Sequence, residues 1–183
     1  DSLQPTQARS LGISAVYQEF NLLQDMSVAE NIFLTTPPIG RFGLINVTER
    51  SNQAYRLLER LGAHKNIDPD ELVKNLTVGE KQIVEIAKAL ALDARVLIMD
   101  EPSAVLPSRD LDRLFEVVKA LRDEGRGIIY ISHRLNEIFE LADRVTVLKD
   151  GEKMGTKDVA ETNNDELVHM MVGRELTDMY PPV

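Results

Sequence analysis

The sequence predicts an α/β fold in which a parallel core sheet carries an inserted helical segment. Two short apolar runs, residues 96–99 (VLIM) and 127–131 (GIIYI), are typical of buried strands in a parallel sheet. A third run over residues 13–17 (ISAVY) also has strand character. Residues 26–92 lack such runs and place apolar side chains at helical spacing instead. We therefore expect a mainly helical subdomain inserted between two strands of an α/β core.

The composition is that of a globular protein with one substantial core. The chain has 183 residues, of which 43% are hydrophobic and 28% are charged. A formal net charge of −9 disfavours a nucleic-acid partner held mainly by phosphate contacts. The absence of cysteine excludes disulfides and thiolate metal sites. No apolar run approaches the ~20 residues of a membrane span, so any membrane association is expected to come through a partner.

Caps, turn residues and apolar periodicity delimit the other elements. In chain order, we predict a short helix over 5–11, a strand over 13–17, a helix within 26–34, a helix from Thr48 to about Leu61, a short helix over 68–73, a helix from Thr77 to about Ala91, a buried strand over 96–99, a helix that follows Ser108 and ends before Gly125, a buried strand over 127–131, a short helix over 135–141, a strand over 144–148, a hairpin turn at 150–151 into 153–155, and a helix over 164–172.

Two carboxylates directly follow the predicted strand over 96–99. They are Asp100 and Glu101, and Pro102 then stops the strand. Ligands of open α/β sheets bind at the carboxyl ends of strands. An aspartate there can hold Mg²⁺, directly or through water, and a neighbouring glutamate can polarise a water for attack on a phosphoryl group. An acidic turn that merely ends a buried strand is the competing interpretation, and this stretch alone does not decide between them.

Two more polar side chains follow predicted strands. Gln18 comes after the strand over 13–17, and His133 follows the strand over 127–131. Taken singly, a solvated glutamine and a structural histidine are the more common outcomes. The carboxyl ends of parallel strands share one edge of a sheet, however. We therefore expect Gln18, the Asp100–Glu101 pair and His133 to converge on one ligand.

Residues 76–82 (LTVGEKQ) carry the second strong signal. Thr77, followed three residues later by Glu80, forms a capping box, and a well-capped helix is the simpler interpretation. The functional interpretation is an anion site made by the Thr77 hydroxyl, the bare backbone of Gly79 and the free N–H groups of the first turn. A helix N-terminus offers such donors and a partial positive charge to a phosphate, and glycine allows a close approach.

Four segments in this order resemble the nucleotide-binding domain of ABC transporters. They are VYQE at 16–19, LTVGEKQ at 76–82, VLIMDEPS at 96–103 and ISHR at 131–134. The resemblance covers essentially the whole chain and implies the P-loop NTPase fold of the ABC ATPase type. It is greatest to the first ATPase half of bacterial monosaccharide importers of the ribose, galactose and xylose type. Further segments that support this branch are residues 28–34, 131–138 and 171–176.

The resemblance also implies a role for each motif residue. Gln18 resembles the Q-loop glutamine, which contacts Mg²⁺ and the attacking water and senses the permease. Asp100 resembles the Walker B aspartate that binds Mg²⁺, Glu101 resembles the catalytic base, and His133 resembles the switch histidine that contacts the γ-phosphate. The signature motif, which binds the γ-phosphate of ATP held by the opposite domain, would comprise Thr77, Val78, Gly79 and Gln82.

The function implied is that of an ATP-binding subunit, which couples ATP binding and hydrolysis to carbohydrate uptake with ATP and Mg²⁺ as cofactors. The partners implied are transmembrane permease subunits, which would meet residues 19–34, and a second nucleotide-binding domain in the same full-length chain or a dimer. A periplasmic sugar-binding protein would act indirectly, and no nucleic acid is expected. The expected location is peripheral, on the cytoplasmic face of the inner membrane.

The same resemblance implies a division of the chain. A core strand and Q-loop would occupy residues 1–19, and a helical subdomain with the signature motif would occupy residues 20–92. An α/β core with the Walker B residues and the switch histidine would occupy residues 93–175, followed by a linker tail over 176–183.

One motif of the family is absent from these residues. The sequence contains no G-x-x-x-x-G-K-[ST], the P-loop whose backbone and lysine cradle the phosphates. We expect that motif upstream of Gln18, in a longer protein of which this chain is an N-terminally truncated fragment, inactive alone. Two alternatives stay open: a non-catalytic fragment that lends its signature motif to a partner domain, and a soluble ABC ATPase of DNA repair or translation. The acidic charge and the importer-like spacings count against the second.

Overall fold

The structure, a computed structural model, describes residues 4–172. The predicted linker tail over 176–183 and part of the segment over 171–176 lie outside the described residues. The chain divides into two compact units, the first ending at Ile131 and the second beginning at Ser132. The division predicted at residues 19, 92 and 175 stays a prediction.

The first unit contains three parallel strands and five helices among its described residues, as the α/β prediction requires. The sheet order is β1–β2–β3, with Val16 of β1 opposite Met99 of β2, and Asp100 of β2 opposite Ile131 of β3. In chain order the elements are α1 (Pro5–Ser10), β1 (Ile13–Val16), α2 (Val28–Ile32), α3 (Val47–Arg60), α4 (Val78–Ala91), β2 (Val96–Asp100), α5 (Ser108–Asp123) and β3 (Gly127–Ile131).

The expectation that β2 and β3 are fully buried strands is wrong. Burial alternates along β2, where Leu97 and Met99 are fully buried and their neighbours are partly exposed. In β3, Ile129 is 51% exposed and Ile131 is 45% exposed. Alternate residues of a strand point to opposite faces, so one face of the sheet is covered and the other is partly open to solvent. An apolar run in the sequence does not distinguish these two situations.

Helix α4 is the central helix of the first unit. It packs against α2, α3, α5 and β1. Eight of its residues are buried, including the polar Gln82 and Glu85. A helix that is buried on most sides must find hydrogen-bond partners for such polar side chains within the protein. The partners of Glu85 are described below with the functional site.

Helix α3 begins with a different cap from the one predicted. Asn46, and not Thr48, is the N-cap, because its side-chain oxygen accepts a hydrogen bond of 3.0 Å from the Glu49 amide. Thr48 lies inside the first turn. Both residue types are good caps, and the turn entering the helix decides between them, since the Asn46 amide is held by the Pro38 carbonyl at 2.8 Å.

We expect Asn46→Ala to lower the free energy of unfolding by about 1 kcal/mol, because the substitution removes the acceptor for one free helical N–H. Thr48→Ala is the matched control and is expected to change it by less than about 0.5 kcal/mol. Urea unfolding of the two variants measures both values. An equal loss in both would contradict the assignment of the cap.

The predicted helix over residues 68–73 is also wrong. This segment instead lies along the start of α2, where the Val28 amide donates to the Glu71 carbonyl at 2.9 Å and the Ala29 amide donates to the Pro69 carbonyl at 2.8 Å. Ser27 and Leu72 form an isolated antiparallel bridge. Backbone pairing between segments distant in sequence has outweighed the local helix-start signal, and only a 3₁₀ turn remains at Val73–Asn75.

The second unit is a helix–hairpin–helix arrangement. Its elements are α6 (Leu135–Leu141), β4 (Arg144–Lys149), β5 (Glu152–Asp158) and α7 (Asn164–Val172), and α7 packs on both strands. The hairpin turn at Asp150 and Gly151 is confirmed, since both residues have positive φ, 51° and 82°. Strand β5 runs further than the predicted residues 153–155, because its pairing continues to Asp158 opposite Arg144.

Across residues 4–172, none of the helices has both the length and the apolar character needed to cross a membrane.

Candidate functional site

The carboxyl end of β2 carries the acidic pair. Asp100 is the last residue of the strand and is exposed. Glu101 follows in the left-handed region with φ 46°, and its amide donates to the Ile131 carbonyl at 3.0 Å. A non-glycine residue in this region is strained by roughly 1–2 kcal/mol and is held there by its surroundings. The last rung of the sheet therefore fixes the backbone that presents the Glu101 carboxylate.

Gln18 lies two residues beyond the end of β1, on the strand adjacent to β2. It is exposed, as is Asp100. Neither side chain makes a hydrogen bond or ion pair with any other residue between 4 and 172. The Asp100 carboxylate and the Gln18 amide each offer an oxygen ligand at neighbouring strand ends. This pair fits Mg²⁺, which binds few protein oxygens and keeps several waters. In the same range no cluster of three or more His, Cys, Asp or Glu side chains could hold a metal.

His133 belongs to the second unit, at its beginning, and its convergence with Gln18 and Asp100 stays a prediction. Its two neighbours are tightly held. The Ser132 hydroxyl donates to the Glu137 carboxylate at 2.8 Å and accepts from the Arg134 amide at 3.0 Å. Glu137 is fully buried. Its other carboxylate oxygen, Oε1, lies 3.5 Å from Nη1 of Arg134. The backbone on both sides of His133 is therefore anchored to α6.

The capping box predicted at the start of α4 is confirmed. Thr77 is the N-cap, and its hydroxyl accepts from the Glu80 amide at 3.3 Å. The Glu80 carboxylate in turn accepts from the Thr77 amide at 2.8 Å and from the Thr77 hydroxyl at 2.9 Å. The amides of Val78 and Gly79 form no hydrogen bond to another residue in 4–172. The cap thus uses the Thr77 donors and leaves those two N–H groups without a partner among residues 4–172.

Gly79 lies against a carboxylate of α5. A Cβ added at Gly79 would be 2.8 Å from both Cγ and Oδ2 of Asp110 and 3.1 Å from its Cβ. A methyl group at such distances would require the Asp110 side chain to shift. Glycine at this position therefore lets α4 pack closely on α5 with the Asp110 carboxylate where it lies.

A cavity of about 140 Å³ lies beside this contact, between the first turns of α4 and α5. Gln82 is part of its wall and is only 2% exposed. Its side-chain nitrogen is buried without a hydrogen-bond partner in the described range. Because an amide N–H donates, only a hydrogen-bond acceptor would satisfy this nitrogen. The other lining residues are Asn66, Thr77, Gly79, Glu80, Ile83, Leu106, Arg109, Asp110, Arg113 and Leu114.

The loop that carries Gln18 is tied to α4 by two side chains that the sequence did not single out. The Glu85 carboxylate accepts from the Asn21 amide at 2.6 Å, and the Lys88 ammonium donates to the Asn21 carbonyl at 2.7 Å. Glu85 is 7% exposed. Hydrophobic periodicity places only apolar residues of a helix in the core, so it does not predict a buried Glu85. The available signal was a single carboxylate within residues 83–87 (IVEIA), whose other four residues are all apolar.

Burial raises the pKa of Glu85 above its usual value of 4.5, and Lys88 and the Asn21 amide oppose this shift to a smaller extent. Since the folded-state pKa is the higher one, the stabilisation from the bound proton is fully present below the unfolded value and is lost as the pH rises through the folded value.

We therefore expect the wild type to lose stability relative to Glu85→Gln as the pH rises from 4.5, since the amide does not ionise but keeps an acceptor for Asn21. Urea unfolding of both proteins from acidic to neutral pH measures the difference. A constant difference at every pH would contradict the raised pKa.

Comparison with known proteins places this geometry in a family. The family model described as ABC transporter matches residues 2–104. Over 177 residues the chain is 52% identical to the ribose import ATP-binding protein RbsA 3 of Rubrobacter xylanophilus, covering 97% of this chain and 35% of the relative. It is 45% identical to the putative ribose/galactose/methyl galactoside import ATP-binding protein 1 of Burkholderia cenocepacia, covering 97% of this chain and 33% of the relative. The chain thus spans about a third of the length of these curated relatives.

Solved structures agree on the fold. An ATP-binding cassette of an ABC transporter in its ADP conformation superposes with a TM-score of 0.74 at 22% identity, covering 94% of this chain and 72% of that one. A dimeric cassette in a post-hydrolysis state, bound to ADP and Pi, gives a TM-score of 0.67 at 22% identity, covering 86% of this chain and 68% of that one. Because the family model matches more than half of the 183 residues, the chain belongs to the ABC transporter family.

Proposed function

We propose that the chain is part of an ATP-binding subunit of a monosaccharide importer. The observation that carries the proposal is the acidic pair Asp100–Glu101 at the carboxyl end of the central parallel strand, in a chain of the ABC transporter family. The sugar class is supported by relatives that are named for import of ribose or galactose. The subunit would bind peripherally to its permease on the cytoplasmic face of the membrane.

Each candidate residue has a distinct task in this proposal. Asp100 and Gln18 would bind Mg²⁺, which supplies charge neutralisation and orientation of the ATP phosphates when bound. Glu101 accepts the proton of the attacking water, and its backbone is already fixed by the bond to the Ile131 carbonyl. His133 is assigned to the γ-phosphate. The signature residues bind the γ-phosphate of ATP held by a second nucleotide-binding domain. These residues are Thr77, Val78, Gly79 and Gln82.

The division of labour follows from the motifs that are present. No P-loop sequence occurs among the 183 residues, so the phosphate cradle of the same site has to come from elsewhere. We propose that these residues alone do not hydrolyse ATP. In the working protein they would supply the Walker B pair to one ATP and the signature motif to the other.

Sugar uptake tests the proposal. Deletion of the gene is expected to abolish uptake of radiolabelled ribose, or of galactose in a parallel assay, and complementation with the gene is expected to restore it. Unchanged uptake of both sugars, together with sensitivity of the deletion strain to DNA damage, would instead favour the soluble ABC ATPase.

A further inference from the structure

We propose that Glu85 and Lys88 are positioning residues for Gln18, because together they fasten the backbone of Asn21 to α4. The proposal rests on the function assigned to Gln18 above. Both hydrogen-bonding groups of the Asn21 backbone are engaged by this one helix, the amide by Glu85 at 2.6 Å and the carbonyl by Lys88 at 2.7 Å. Residue 21 lies outside every helix and strand, so no secondary structure holds it.

The chain beyond Asn21 is anchored as well. Asn31 of α2 is fully buried, and its side chain accepts from the Leu23 amide at 2.7 Å and donates to the Leu23 carbonyl at 3.0 Å. Leu22, between the two anchored residues, is 7% exposed. The segment from Asn21 onward therefore belongs mechanically to α2 and α4, although it has no regular structure of its own.

The chain before Gln18 is anchored to the sheet. Val16 is fully buried and pairs with Met99, the residue before Asp100. Only residues 17–20 lie between this strand and Asn21, and the five steps from Val16 to Asn21 reach at most about 18 Å. Tyr17, Gln18 and Glu19 are exposed. The position of Gln18 is consequently set by its two ends, one on the strand beside Asp100 and one on α4.

This arrangement connects the signature residues at the start of α4 with Gln18. Helix α4 has Thr77 as its N-cap and Gly79 in its first turn. Two turns later, its Glu85 side chain binds the Asn21 amide. A displacement of α4 relative to β1 must move Gln18, provided that Glu85 and Lys88 hold. Loss of the hydrogen bonds from Glu85 and Lys88 to Asn21 would leave Gln18 mobile while Asp100 remains fixed in the sheet.

The carboxylate of Glu85 acts here as a hydrogen-bond acceptor. Variants can therefore separate the loss of this hydrogen bond from the loss of the negative charge. Glu85→Leu removes the acceptor, Lys88→Met removes the donor, and Glu85→Gln keeps an acceptor of the same length. Amide hydrogen exchange of the full-length protein without nucleotide reports directly on Asn21. We expect exchange at Asn21 to accelerate about 10-fold or more in Glu85→Leu and Lys88→Met, and to stay within about 3-fold of wild type in Glu85→Gln.

The same variants are then assayed for ATP hydrolysis in the complete complex as a function of Mg²⁺ concentration. Groups that orient a metal ligand typically change metal affinity about 10- to 100-fold when removed, so we expect the Mg²⁺ concentration at half-maximal rate to rise about 10-fold in Glu85→Leu and Lys88→Met. In the conservative variant Glu85→Gln, the Mg²⁺ concentration at half-maximal rate should stay close to that of the wild type. Urea midpoints, measured in parallel, report a merely structural effect.

The outcomes are distinguishable. Faster exchange at Asn21 together with a raised Mg²⁺ requirement supports the positioning role. Lower urea midpoints with an unchanged Mg²⁺ requirement overturn it while the proposed function stands. A wild-type complex that hydrolyses no ATP overturns the proposed function and the positioning role with it.

Discussion

Replacing Glu101 by Gln in the full-length protein is expected to lower the rate of ATP hydrolysis by ~10²–10⁴-fold, because the amide does not accept the proton of the attacking water. ATP binding should persist, since Asp100 and Gln18 are unchanged. The isosteric substitution also keeps the backbone bond from residue 101 to the Ile131 carbonyl, so the left-handed turn is preserved. Steady-state hydrolysis and nucleotide binding, measured on the same preparation, separate the two effects.

The matched control is Glu116→Gln, an exposed carboxylate on α5. It is expected to leave the rate unchanged. An unchanged rate in Glu101→Gln would remove Glu101 as the base. If Gly79 substitutions still slowed hydrolysis in that case, the result would favour the alternative in which this chain only lends its signature motif to a partner domain.

Gly79→Ala is expected to disturb both stability and catalysis. Its φ is not in the left-handed region, so alanine suits the backbone. The obstacle is Asp110, whose Cγ and Oδ2 would lie 2.8 Å from the new Cβ. Forcing a methyl group into a packed contact costs about 1–3 kcal/mol, and a shift of α4 against α5 would misplace the signature motif. We expect the ATP hydrolysis rate to fall about 10- to 100-fold.

The double variant Gly79→Ala/Asp110→Ala separates packing from phosphate binding. Removing the Asp110 carboxylate leaves only its Cβ, at 3.1 Å, so most of the lost stability should return. The hydrolysis rate should stay low if the bare backbone of Gly79 is needed for close approach to a phosphate. Recovery of both stability and rate would show that glycine serves only the α4–α5 contact, and would contradict its assignment to the signature site.

The α/β core was predictable because its signals are local. The apolar runs that became β2 and β3 are bounded by polar residues, and the capping box at Thr77 and Glu80 closes within four residues. The acidic pair follows directly from where β2 ends. Such features depend on near neighbours in the chain, which a sequence displays.

The contacts that escaped prediction join residues far apart in sequence. Glu85 and Asn21 are 64 positions apart, and no periodicity relates them. The segment around residue 70 was wrongly predicted to be helical from its local start signal, because its true pairing partner, residues 27–29, is distant in sequence. Likewise, the half-exposed Ile129 and Ile131 look fully buried in the sequence, because an apolar side chain does not reveal which face of the sheet is covered.

Sugar-stimulated ATP hydrolysis tests the central claim most directly. The full-length protein would be reconstituted with its permease in vesicles, with Mg²⁺–ATP on its own side and the sugar-loaded binding protein on the other. We expect hydrolysis that requires Mg²⁺ and rises when the binding protein carries ribose or galactose. Hydrolysis that is indifferent to every monosaccharide, or no hydrolysis at all, would contradict the assignment to a monosaccharide importer.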